Sequence, residues 1–367
     1  MRAAILYEAR TPMLIEEVSL EGPKDDEVLV RIGATGACHS DYHVIDGSWH
    51  GARYPLPVIL GHEAAGYVEK VGANVTSVKK GDTVILSFSP NCGRCRMCTI
   101  GQPHLCNGLS SPPGMFTDGT RRHRKGNLEI NCFGRGMSSF AELSVVHQSA
   151  AIKINPDMPI EGAALIGCAV MTGVGAVLNT AKVEPGATMA VFATGGVGLS
   201  VVQGGVLANA SKIIAIDLLD NKLEFARAVG ATHTINSKNQ DPIARILELT
   251  DGQGVDYAFD AIGNPKVSRM CYDVVRRGGT AVIVGMAPTG AEISIPGTIP
   301  GEEKTVKGCF YGSTRPSVDF PRLVDFYLNG KLKLNQMITK TYSLDQVNDS
   351  FDALGRGDNA RGIIKPT

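Results

Sequence analysis

The chain has 367 residues, too many for one ordinary core and about right for two domains. Basic and acidic residues number 36 each, so net charge is zero and no basic surplus points to nucleic acid or an anionic membrane surface. With 43% hydrophobic and 6% aromatic residues, the composition reads as that of a soluble globular chain.

The opening stretch, "MRAAILYEARTPMLIEEVSL", has charges every few residues and reads as neither a signal nor a transit peptide. The compartment expected is the reducing cytoplasm, where clustered cysteines are more often metal ligands than disulfides. Up to about residue 150 the chain is dense in Gly, Pro and short β-branched runs: "EVLVRIGATG", "AAGYVEKVGANV", "GDTVILSF". These predict short strands joined by tight turns, and hence a β-rich domain. Within that region "GACHSDYH" (36–43) and "GHEAAG" (61–66) set Cys38 and His62 beside glycine or other small residues.

Next comes "NCGRCRMCTIGQPHLC" (91–106), with the spacing C-x2-C-x2-C-x7-C over Cys92, Cys95, Cys98 and Cys106. Thiolates two residues apart on a turning loop converge on one tetrahedral ion. Four such ligands leave no open position, so the site holds a loop and does no chemistry. An iron–sulfur cluster has a similar look, but no Cys-Pro follows and nothing else suggests electron transfer, so closed zinc is favoured. A nucleic-acid-binding zinc ribbon would want a second ligand pair with basic and aromatic partners, which are not found. Residues 110–136, polar, basic and rich in Pro and Gly, are the candidate flexible insert.

The longest uncharged stretch starts at Gly162, "GAALIGCAVMTGVGAVLNTA". Rich in Gly and Ala and without basic flanks, it predicts a buried helix rather than a membrane span. It carries Cys168. A lone cysteine in an apolar helix is usually core. If the fold gathers Cys38, His62 and Cys168, however, they form a Cys2His set with a free fourth position, as a catalytic zinc requires.

Beyond about Val170 the pattern alternates. "ATMAVFAT" predicts a strand, "GGVGLSVVQGGVLANA" a helix, "KIIAID" a strand and "DNKLEFARAVGA" a helix, and "HTIN", "DPIARILELT", "VDYAFDAI" and "GTAVIVGM" continue the series. This is the signature of βαβ units and a parallel sheet. The turn Gly195-Gly196-Val197-Gly198 joins a strand to a helix, where backbone and helix N-terminus can meet a pyrophosphate. Ala193 fills the first place of the G-x-G-x-x-G fingerprint. Asp217 ends the next strand, where a carboxylate accepts both adenosine ribose hydroxyls and repels a 2′-phosphate, favouring NAD over NADP. "GTAVIVGM" is the candidate edge for pairing between subunits, "FPRLVDFYLNGKL" is amphipathic, and the chain ends "RGIIKPT".

Taken together, "GACHSDYH", "GHEAAG", the four-cysteine loop, "GCAVMTG" and "GGVGLS" with Asp217 resemble the zinc-dependent medium-chain alcohol dehydrogenases, in that family's order and over nearly the whole chain. The resemblance implies an α/β fold: a β-rich GroES-like catalytic domain (1–169 and 311–367) and a Rossmann-type doubly wound parallel-sheet domain (170–310). It implies two zinc ions per chain, a catalytic one on Cys38, His62 and Cys168 and a structural one on Cys92, Cys95, Cys98 and Cys106, with NAD as cofactor. Glu63 resembles the family's carboxylate behind the metal, and Asp41 the acid that orients the histidine ligand. Ser40 matches the hydroxyl at the substrate oxygen, and His43 the solvent end of its proton relay. His39, Thr172, Lys222 and Arg361 look like cofactor contacts beside Gly195, Gly196, Val197, Gly198 and Asp217. Trp49, Phe88 and Met286 would line the substrate pocket. His39 stands where many relatives carry arginine, and 110–136 is of the longer type seen in dimeric members.

The activity implied is hydride transfer between a primary or aromatic alcohol, or its aldehyde, and NAD. The expected partner is a small molecule, with neither nucleic acid nor membrane, and the expected assembly is a homodimer with a tetramer as alternative. Two other functions stand beside this one: oxidation of a formaldehyde–thiol adduct, and a noncatalytic zinc- and nucleotide-binding role.

Overall fold

The computed structural model describes residues 1–49 and 54–367. The chain divides into two compact units, Met1–Cys168 with Arg315–Thr367, and Ala169–Thr314.

The first unit is built on two mainly antiparallel sheets, each with one parallel pair. Strand Glu27–Gly36 is its centre, paired with Ala64–Val71, Leu143–His147 and Arg361–Lys365. Val28, Val30 and Ile32 from this strand pack with Ala64, Val68, Val84 and Leu86 into one core cluster. That cluster follows from the period-2 alternation of the β-branched runs. The C-terminal "RGIIKPT" supplies strand Arg361–Lys365, which ties the chain end into this sheet. A second sheet runs in the order Leu14–Glu17, Arg2–Leu6, Val58–Ile59, Leu128–Cys132, His123–Lys125, Ser19–Leu20.

The second unit is a parallel sheet in the order His233–Asn236, Lys212–Asp217, Thr188–Phe192, Val255–Asp260, Val275–Ile283, Thr305–Gly308. The strand order reverses between Thr188–Phe192 and Val255–Asp260, the crevice where doubly wound sheets take ligands. Ala190, Phe192, Ile214, Ile216, Ile235 and Ala258 fill its core, as strands covered on both faces require. The apolar helix spans Ile160–Ala181 and is 89% buried over its most apolar window, so it is a core helix.

Two expectations need correction. The strand "GTAVIVGM" is not an edge: Val275–Ile283 pairs with Val255–Asp260 on one side and Thr305–Gly308 on the other. The edge on that side is Thr305–Gly308, a strand too short and too polar to show in the sequence pattern. Nor is 110–136 a loose insert. His123–Lys125 and Leu128–Cys132 pair with each other, and the segment joins the second sheet at both Ser19–Leu20 and Val58–Ile59.

Its anchor is Arg122, which is wholly buried. Nη2 donates to Glu27 Oε1 at 2.6 Å and to Asp118 Oδ2 at 2.7 Å, while Nη1 donates to Glu27 Oε2. The guanidinium also lies over the Phe116 ring. Arg122→Met strands a buried carboxylate at Glu27 and should cost about 3–5 kcal/mol, read from the denaturant midpoint. Burial, with the Arg122 charge beside it, pushes the neighbouring His123 imidazole down to about 4. The folded value lies below the unfolded one, so the contribution to stability is complete above pH 6.5 and is lost as pH falls toward 4. That loss should reach about 3 kcal/mol and should be missing from His123→Phe, as unfolding curves across this window would show.

Candidate metal and dinucleotide sites

Cys38 and His62 are placed by one strand pair. In the register of Glu27–Gly36 with Ala64–Val71, Thr35 faces Ala64. Cys38 therefore follows the end of one strand, and His62 precedes the start of its neighbour. Cys38 is the extended residue that opens helix His39–Ile45. Cys168 lies in a wide π-type turn, Ile166–Val170, of the apolar helix. The helix reaches the sheet because residue 167 is glycine: a Cβ there would stand 2.9 Å from the Leu86 carbonyl oxygen and 3.3 Å from the Ala64 nitrogen. The ligand atoms of Cys38, His62 and Cys168 lie within 4.8 Å of one another, all three residues buried.

Asp41, fully buried, orients the histidine. Its Oδ1 accepts from the Gly61 N–H at 3.0 Å and from His62 Nδ1 at 3.1 Å, which turns Nε2 of His62 toward the thiols. A hydrogen bond from the Cys168 thiol holds the Cys38 thiol well below its ordinary range, and the charge of His62 adds to this. Burial opposes protonation of His62, but the charges of Asp41 and Cys38 outweigh it and raise the imidazole pKa. Behind them Arg361 Nη2 donates to Glu63 Oε2 in a pair that is entirely interior. Burial pushes the Glu63 carboxyl up to about 8 against the pull of Arg361. Glu63 Oε1 and Asp41 Oδ2 are buried without a hydrogen-bond partner, so acceptor capacity remains at this centre. Three converging soft and imidazole donors, a fixed histidine tautomer and spare carboxylate oxygens fit a zinc ion with one position left open.

The second cluster is closed. Cys92, Cys95, Cys98 and Cys106 bring four sulfurs within 4.8 Å of one another. Two thiolates on one tetrahedral zinc stand about 3.8 Å apart. Cys95 Sγ is 3.5 Å from Cys98 Sγ and 3.7 Å from Cys106 Sγ. Backbone N–H groups of Cys92 and Cys95 donate to sulfur at 3.3 Å. The Cys98 N–H draws Cys95 down to about 6, whereas burial, followed by Cys95 and Cys106, pushes Cys98 up to about 12. Four thiolates this close need a cation, and zinc fits.

The rings near His62 form a line. Phe88 meets His62 edge-on with centroids 5.5 Å apart, and Phe133 lies 4.9 Å away. Phe133 stacks on Tyr54 at 5.1 Å, Tyr54 on Trp49 at 5.6 Å, and Trp49 meets His43 at 5.0 Å. Tyr54 and Phe133 escaped sequence reasoning. Each is a solitary aromatic in an irregular stretch, and no local pattern marks it. Ser40 is half-buried in the first turn of helix His39–Ile45, and His39 is exposed beside Tyr42 and His43. Met286 belongs to the second unit, 41% exposed beyond strand Val275–Ile283, and is not part of this ring line.

In the second unit the turn after strand Thr188–Phe192 leads into helix Gly196–Leu207. Ala193, at the place of the first fingerprint glycine, has φ of 70°. Gly198 is required by crowding, since a Cβ would lie 1.8 Å from the Ala193 carbonyl oxygen. A Cβ on Gly195 would meet nothing within 4 Å, leaving the clearance a pyrophosphate needs against the backbone. Asp217 closes strand Lys212–Asp217 beside this turn, and Lys222 is buried on the following helix, Asp220–Val229. Thr172 sits half-buried on the apolar helix segment that packs against Gly196–Leu207. Turn, acid and strand reversal fit a dinucleotide.

Comparison with known proteins places the chain in a family. Residues 24–156 match the family described as alcohol dehydrogenase GroES-like domain, and 196–329 match zinc-binding dehydrogenase. The S-(hydroxymethyl)glutathione dehydrogenase of Paracoccus denitrificans is 41% identical, and the alcohol dehydrogenase class-3 of Cereibacter sphaeroides 40%, each over 99% of both chains. The benzyl alcohol dehydrogenase structure from Acinetobacter calcoaceticus superposes with a TM-score of 0.93 at 34% identity, covering 100% of this chain and 99% of that one. The fold and paired metal sites thus define a zinc-dependent oxidoreductase with a GroES-like and a Rossmann-type part. The chain belongs to the zinc-dependent medium-chain alcohol dehydrogenase family, and it is an NAD-dependent alcohol dehydrogenase.

Cys38→Ser should remove one of two zinc equivalents by elemental analysis and abolish turnover. Cys95→Ala should lower the thermal midpoint far more than the initial rate per folded molecule.

Proposed function

We propose that the chain oxidises primary alcohols carrying an aromatic or other planar apolar group, with reduction of NAD, at the Cys38–His62–Cys168 centre. The observation that carries this reading is the contrast between two metal-ligand sets. Four thiols saturate one site, whereas three ligands with an oriented imidazole leave the other open. When bound, zinc supplies the electrostatic pull that lets an alcohol ionise near neutral pH, and NAD accepts the hydride. The chain's residues do the rest. Cys38, His62 and Cys168 hold the metal, and Asp41 fixes the His62 tautomer. Glu63, steadied by Arg361, stands ready as a further oxygen donor. Ser40 takes the alcohol proton and passes it toward His43, which releases it to solvent. Phe88 and Phe133, flanking the His62 ring, exclude water and favour a flat apolar substituent. Trp49 extends the same wall through Tyr54.

The first unit is the catalytic domain and the second the dinucleotide-binding domain. Gly195, Gly196, Val197 and Gly198 meet the pyrophosphate, Asp217 the adenosine ribose, and Thr172 and Lys222 further parts of the cofactor. A homodimer is the assembly proposed, and the edge strand Thr305–Gly308 offers unpaired backbone groups for it. The cytoplasm is the compartment proposed, in keeping with nine cysteines that form no disulfide.

A second reading is oxidation of S-(hydroxymethyl)glutathione, favoured by the relative of that name at 41% identity. A screen of kcat/KM over ethanol, benzyl alcohol and S-(hydroxymethyl)glutathione decides between them. Benzyl alcohol should lead, and a lead of more than about tenfold by the thiol adduct, some 1.4 kcal/mol of transition-state binding, would reverse the assignment. His43→Gln should lower the rate mainly near neutral pH and recover at high pH, where solvent base replaces the relay. A uniform loss across pH would exclude His43 from proton transfer.

A further inference from the structure

We propose that Thr194 is a positioning residue for the Asp217 carboxylate, and that its hydroxyl sets the preference for NAD over NADP. The proposal rests on the reading that Asp217 receives the adenosine ribose. Thr194 is wholly buried, two residues past strand Thr188–Phe192. Asp217 closes the neighbouring strand, in parallel register with Phe192 opposite Ile216. Thr194 donates to Asp217 Oδ2 twice, from its N–H at 2.7 Å and from Oγ1 at 3.0 Å. Oδ1 accepts from the N–H groups of Leu218 at 2.7 Å and Leu219 at 3.2 Å.

Four protein donors engage the two carboxylate oxygens, two on each. The side chain is held in one orientation before any ligand arrives, which spares the ordering cost on binding. Three of the donors are backbone N–H groups with fixed directions. The Thr194 hydroxyl is the one side-chain donor among the four, so it is the part of this hold that a substitution can remove. A 2′-phosphate brings no proton to donate there and meets a carboxylate that cannot swing aside.

The turn shows the same emphasis. Ala193 has the left-handed φ of 70°, a conformation that strains a residue carrying a Cβ. That conformation, held by the Ala193 N–H on the Ile216 carbonyl at 2.8 Å, aims both donors of the next residue at Asp217. The strain is borne where it directs Thr194.

The test measures dissociation constants of NADH and NADPH by nicotinamide fluorescence for the intact enzyme and its variants. Thr194→Val keeps the N–H and the shape while removing the O–H. It should weaken NADH about tenfold, as losing a bond to a charged group does, with little change for NADPH. Thr194→Ser, which keeps the hydroxyl, should stay near the parent ratio, and Thr194→Ala should shift the ratio as valine does, guarding against misfolding of a single variant. Equal weakening of both nucleotides would make the role merely structural, and an unchanged ratio would likewise overturn the proposal. Asp217→Gly separates the two levels. If its NADH/NADPH ratio matches the parent's, the ribose reading of Asp217 fails and the proposal with it. If that ratio shifts while Thr194→Val leaves it alone, the proposal alone fails.

Discussion

One antiparallel register governs the first unit: Thr35 opposite Ala64, with Cys38 just past one strand and His62 just before the next. A strand pair slipped by one residue would turn each side chain to the other face. The thiol and the imidazole would then part, and the close seat of Gly167 on Leu86 and Ala64, which delivers Cys168, would lose its floor. Burial enforces the register. Val28, Val30 and Ile32 face the core with Ala64 and Val68, and a slip would send them into water. Ordinary hydrophobic packing therefore sets the geometry of a metal centre assembled from three distant segments.

The two cysteine-containing sites show how the same ligand chemistry serves opposite ends. In the 92–106 loop the donors come from one short segment and saturate their ion, so the loop gains a rigid shape without a large core of its own. In the other set the donors are remote, and one is an imidazole whose tautomer is fixed by Asp41. Interior carboxylates, Glu63 and Asp41, keep oxygens without hydrogen-bond partners at that centre. A cation there meets both thiolate charge and spare acceptors, while the Arg361 guanidinium limits the net negative charge.

The sequence was most legible where chemistry is local. The four-cysteine spacing, the strand-turn-helix ending at Gly198 and the alternating βαβ texture each lie within a few dozen residues, and each has a periodicity or a fixed offset. The convergence of Cys38, His62 and Cys168 had to be supposed, because no spacing rule joins Cys168 to two residues more than a hundred positions before it. Side chains that matter through tertiary contact were illegible. Phe133 and Tyr54 carry no local signal, and Thr194 looks like any small residue in a glycine-rich turn until Asp217 is brought across from the next strand. Composition misled at 110–136, where proline, glycine and charge suggest a loop. A buried guanidinium between two acids reads in sequence like any charge that faces water.

Glu27, at the start of the strand that leads to Cys38, has its charge balanced by an arginine almost a hundred residues downstream. The length of that excursion is therefore not free to vary alone. A descendant that trimmed residues 110–136 would leave an anion stranded beneath its own sheet, unless the acid at position 27 were exchanged for an uncharged side chain in the same evolutionary step. Loop shortening and loss of that acid should travel together among related chains.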